Sequence, residues 1–72
     1  MKRYVREVAN DCLRDLDRLE RYVFGELNFS PEAAAEIHQE YEEKRERIRS
    51  LVEQCQYGYV SDLCAVKLIA EV

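Results

Sequence analysis

Few side chains in this 72-residue sequence are suited to chemistry. His38 is the one histidine, and Glu42 follows it by four residues, which puts both on one face of a helix where they could share a proton or a metal ion. Two ligands do not complete a zinc site, which takes about four. The plainer reading is a histidine hydrogen-bonded to a neighbouring carboxylate, and only a dimer bringing two copies together would build a metal centre. Cys12, Cys55 and Cys64 form an odd set with no CxxC pair, which describes free thiols rather than a disulfide framework. A nucleophilic cysteine needs a histidine or a cationic neighbourhood to hold its thiolate. Cys12 and Cys55 fall on apolar stripes that oppose ionisation, and only Cys64 lies near a helix start. There is no glycine-rich phosphate loop and no GxSxG turn. We therefore expect no catalytic residue, no metal and no cofactor. A small metal-dependent or helical-dimer enzyme ranks behind two binding functions.

Charge is distributed unevenly. Residues 26 to 43 hold Glu26, Glu32, Glu36, Glu40, Glu42 and Glu43 without a basic residue, whereas Lys44, Arg45, Arg47 and Arg49 follow with Glu46 alone between them. Such an order complements a helix dipole and needs no function to explain it. Lys2, Arg3 and Arg6 have no such explanation, because they crowd a helix start where cations are unfavourable. If the first two helices fold back on each other, Lys2, Arg3, Arg6, Arg45 and Arg49 collect into one basic end opposite an acidic tip. That end suits phosphate, an acidic protein surface or the acidic tip of another copy. Only Tyr4 interleaves with these cations, and the helices are too long for a helix-turn-helix, so contact with nucleic acid is the alternative and protein contact the favoured reading. The net charge of −4 also argues against a chain whose whole surface grips nucleic acid.

The elements that position these groups are legible as periodicities. Val5, Val8, Cys12, Leu16, Leu19 and Val23 recur at steps of three and four, which predicts a helix over about 3–24 with Gly25 as its cap. Ser30 and Pro31 then supply a cap and a first helical residue, and Ala34, Ile37, Tyr41, Ile48, Leu51, Val52 and Cys55 continue the pattern over about 31–56. Lys44 stands where an apolar residue is due. Its stem could cover the seam while its ammonium reaches water, or it could set register by pairing with Asp11, Asp15 or a second chain. Gly58 breaks the second helix, and Ser61 caps a third over about 61–72 whose composition asks for burial nearly all round. A strand is the rival there, but no partner strand exists.

We expect an all-α domain over 1–72: a long antiparallel hairpin with a short apolar third helix across its open end. A chain of 8.6 kDa folded compactly would expose about 4,700 Å² and has a thin core. Pairing into a helical-bundle homo-oligomer is the natural remedy. The surface for association is read as Tyr57, Tyr59, Leu63, Val66, Leu68, Ile69 and Val72. The absence of a signal-peptide core and of any span of about 18 apolar residues points to a cytoplasmic protein with no membrane partner. The expected function is a small helical protein–protein interaction module, a regulator or inhibitor that occupies a surface of a larger protein.

Overall fold

The computed structural model describes residues 1–72, which form three helices and no strand: α1 (Arg3–Glu26), α2 (Pro31–Gln56) and α3 (Asp62–Ala70). Each boundary has a local cause. The Ser30 hydroxyl accepts the N–H of Ala33 at 3.2 Å, with Pro31 at the first helical position where its missing donor costs nothing. At the other end of α2, Gly58 adopts φ +83°, which lets the Tyr59 N–H reach the Gln54 carbonyl at 2.9 Å and the Gly58 N–H reach Cys55 at 3.1 Å. These two bonds make a Schellman turn, and they require the left-handed backbone that glycine adopts without steric cost. Three residues later the Ser61 hydroxyl caps α3 by accepting the Cys64 N–H at 3.2 Å.

Two boundaries differ from the sequence reading. Helix α1 does not stop at Gly25 but runs through it to Glu26, and the extended Leu27 closes it by donating its N–H to Val23. A single glycine inside a helix costs only about 1 kcal/mol relative to alanine, so the neighbouring turns carry α1 past it. Helix α3 ends at Ala70 rather than Val72, where Glu71 turns its N–H back on Lys67 and Leu68.

The core is small and lies to one side of the molecule's midpoint. Val5, Ala9 and Leu16 of α1, Ile48, Leu51 and Cys55 of α2, and Ala65 and Ile69 of α3 form its single buried cluster. Lys2, Arg3 and Arg6 line one groove with Gln56, while His38 touches Glu20 and Arg45 touches Asp17. The start of α1 therefore meets the end of α2, and the later part of α1 meets the earlier part of α2. From Asp17 to Lys44 no residue is buried. The molecule measures 42 × 17 × 14 Å with a radius of gyration of 14.0 Å, against about 11 Å for a compact chain of this length. No helix is long and apolar enough to cross a membrane.

Candidate interaction surface

Helix α3 turns only one face inward. Ala65 and Ile69 are buried against α1 and α2, Val66, Leu68 and Val72 pack half-buried at the core margin, and Leu63 points to solvent. The expected burial nearly all round is not met, because two helices on one side give α3 a single surface to lie on. Ile69 was expected at an interface with another molecule, but at 1% exposure it is an internal core residue and offers nothing to a partner. The residues that remain outside are Tyr57, Tyr59 and Leu63, exposed by 68, 80 and 76%. Tyr57 and Tyr59 flank Gly58, and their ring centroids stand 6.5 Å apart. Together with Ser50, Glu53 and Gln54 they line an open groove of about 380 Å³.

Asp62 ties this corner together. Its Oδ2 accepts the backbone N–H of Lys2 at 3.2 Å, and its Oδ1 accepts the Cys55 thiol proton at 3.0 Å. One carboxylate thus joins the first residue of α3 to the start of α1 and the last turn of α2. The bond from the thiol, with the Lys2 amide and nearby positive charge, holds Asp62 below the usual carboxylate range, although desolvation opposes this. The same bond, together with desolvation, pushes the Cys55 thiol up. Cys12 is also raised, first by burial and then by the charges of Asp15 and Asp11. All three cysteines are free, with Cys64 exposed. This three-way junction was missed at the level of sequence, where Asp62 is only one of three polar residues, with Lys67 and Glu71, in an apolar third helix.

The basic end is smaller than expected. Lys2, Arg3 and Arg6 line a groove of about 380 Å³ with Met1 and Gln56. Arg6 and Arg49 also line a second groove of about 280 Å³ together with Ala9, Leu13, Ile48 and Val52. Arg49 spends part of its charge on Glu46, 2.7 Å away. Arg45 does not belong to this patch. It is buried, with Nε 3.0 Å from Asp17, Nη1 2.6 Å from Glu42 and Nη2 hydrogen-bonded to Glu20. Its guanidinium also lies 6.0 Å from the Tyr41 ring centroid. A signal for this was present: Arg45 follows Tyr41 by four residues and precedes Ile48 by three, which is the spacing of the apolar seam itself.

The polar residue in the seam is accordingly Arg45 and not Lys44. Lys44 is exposed and forms no ion pair with Asp11 or Asp15; Asp11 has Arg14 for a neighbour at 3.8 Å. His38 is an exposed histidine hydrogen-bonded to a carboxylate, as in the plainer reading, but the carboxylate is Glu20 rather than Glu42. Its Nδ1 lies 2.8 Å from Glu20 Oε2 on α1, while Glu42 is engaged by Arg45. Desolvation would raise Glu20, but the hydrogen bonds and charges of Arg45 and His38 outweigh it and hold the carboxyl below its ordinary value. Glu20 is thus shared by Arg45 and His38, an arrangement that locks α1 to α2. No three histidine, cysteine, aspartate or glutamate side chains are grouped to hold a metal ion. No protein-family model, curated protein or solved structure matches the chain.

Proposed function

We propose that the protein is a small helical interaction module: an antiparallel hairpin closed at one end by α3, which self-associates and presents the Tyr57–Tyr59–Leu63 corner to a larger protein. It would act in the cytoplasm as a regulator or inhibitor by covering that partner's surface. One observation carries this reading. Two tyrosines and a leucine stand outside on a corner whose backbone is fixed by a Schellman turn, a serine cap and the Asp62 junction. Rigid tyrosines lose little entropy on binding and combine an apolar body with a polar tip, which is why they anchor protein interfaces.

The test is a comparison of the native chain with Tyr59→Ser/Leu63→Ser as baits in cells of the host. Both side chains face solvent, so helicity and melting temperature should be preserved. A protein retained by the native chain and lost by the variant supports the corner as the binding site. Identical retention by both sinks it.

A second reading, contact with nucleic acid, is favoured by the groove formed by Lys2, Arg3 and Arg6 beside Gln56. The loss of Arg45 to the interior leaves that groove with three cations and one shared arginine nearby. Retention on DNA or RNA that falls steeply with salt would support it. Passage at low salt would end it.

A further inference from the structure

The basic end of the molecule holds a groove that is both charged and apolar. Arg6, Ala9 and Leu13 stand at i, i+3 and i+7 on one face of α1, and together with Asn10 and with Ile48, Arg49 and Val52 of α2 they line a groove of about 280 Å³. Ala9, placed between Arg6 and Leu13 on that face, carries only a methyl, which leaves a hollow between two longer neighbours. No residue of α3 lines the groove. Leu13 and Val52 therefore stay half-buried, with apolar surface that nothing in the chain covers.

The lining charges select the sign of a ligand. Two guanidinium groups line the groove and no carboxylate does. Arg6 forms no ion pair within the chain, and Arg49 has only Glu46, an exposed pair three residues back that contributes little. Arg6 also lines the adjoining groove with Lys2 and Arg3, neither of which has an ion-pair partner, so the positive charge extends beyond the apolar part.

We propose that this groove binds a free amphiphilic anion, a carboxylate carrying one medium-length alkyl tail, with the charge drawn to Arg6 and Arg49 and the tail laid against Leu13, Ile48 and Val52. Guanidinium groups make short, charge-assisted bonds to carboxylates, and the Asn10 amide offers a further donor. The tail takes apolar surface of both partners out of water. The volume lies just below the range of about 300–1,000 Å³ usual for ligand sites, which suits one short tail rather than two. A nucleic acid strand supplies the charge without the tail. A helix from another protein would find only the stretch from Arg6 to Leu13 to lie on, about 10 Å of α1. The site is separate from the tyrosine corner, none of whose residues lines it, and neither depends on the other.

Titration of the full chain, labelled with nitrogen-15, with sodium octanoate should give saturable amide shifts concentrated at Asn10, Leu13, Arg49 and Val52. Acetate, which has the charge without the tail, and 1-octanol, which has the tail without the charge, should each bind about tenfold more weakly or worse. Arg6→Gln/Arg49→Gln should weaken octanoate about tenfold, whereas Lys2→Gln/Arg3→Gln, in the adjoining groove, should change it less than about twofold. All four positions are exposed, and circular dichroism checks that both variants keep their helices. Absence of saturable shifts with octanoate overturns the proposal. So does octanol that binds as well as octanoate, or an equal loss in the two double variants, which would mean that the basic end attracts anions without using the groove. Co-sedimentation with phosphatidylglycerol vesicles by a chain that ignores octanoate would assign the arginines to a lipid surface and overturn it as well. None of these outcomes bears on the tyrosine corner, which stands or falls on the bait comparison.

Discussion

The Cys55 thiol lies 3.0 Å from Asp62 Oδ1, so the last turn of α2 and the first turn of α3 are joined by a bond whose donor can be titrated away. Cys55 has its pKa raised in the fold by this bond and by desolvation. A group of this kind contributes stability that is complete below its unfolded pKa, about 8.5, and is lost as pH rises through the higher folded value. Thermal stability should therefore fall above about pH 8.5. Cys55→Ser keeps a donor but no titrating thiol and should show a shallower fall. Cys12 shifts in the same direction, so part of the slope will remain. Melting curves between pH 7 and 10 on the two proteins decide this, and parallel slopes would remove the role assigned to Cys55.

Thiol reactivity should follow burial and thiolate character. Cys64 is exposed, Cys12 half-buried beside two carboxylates, and Cys55 buried and committed to Asp62. A disulfide-exchange reagent should modify Cys64 first under native conditions and the other two at rates limited by opening of the fold. Reducing agent alone should leave the melting temperature unchanged. Peptide mapping after a timed pulse of reagent gives the order, and early labelling of Cys55 would contradict the packing described.

Arg45 is the buried polar residue whose loss should be felt most. Arg45→Ala strands Glu20 with one partner and leaves a gap beside Tyr41. A fully buried pair would cost about 3–5 kcal/mol to break, but Asp17 and Glu42 remain accessible to water, so about 2 kcal/mol is expected. Replacing both main partners, as Arg45→Met/Glu20→Leu, should recover most of that loss, because an apolar pair of similar volume needs no desolvation. Urea unfolding of the three proteins tests the contrast. A double variant no better than Arg45→Ala would mean that the ion pairs carry more stability than their exposure implies.

Acid should act through Glu20 and Asp62, both held below their ordinary values. The unfolded chain binds protons at these groups near pH 4, before the folded chain does. Their contribution is thus present above that range and lost as pH falls through the lower folded values. Urea midpoints measured from pH 6 to 2.5 should drop, and Glu20→Gln should drop less. An unchanged profile in Glu20→Gln would show that the Arg45 contact does not discriminate between the ionised and neutral carboxyl.

The three helices, the serine caps that start α2 and α3 and the glycine stop of α2 were legible in the residues, because an amphipathic stripe, a Ser30–Pro31 start and a Gly58 stop act through local backbone geometry. Gly25 was misread for the complementary reason: whether one glycine ends a helix depends on what the next turn packs against, and here the helix continues to Glu26. The free state of the thiols followed from their spacing. Which polar residue enters the seam did not follow as directly. Lys44 and Arg45 are adjacent, 100° apart around the helix, and the rotation of α2 against α1 brings Arg45 to Asp17 and Glu20 and leaves Lys44 outside. The same holds for α3, whose composition suggests burial on every side while its length and its two neighbours allow only Ala65 and Ile69 to be fully covered. Periodicity records which residues share a face. The rotation and overlap of the helices, set by packing among all three, determine what that face meets and where it meets nothing.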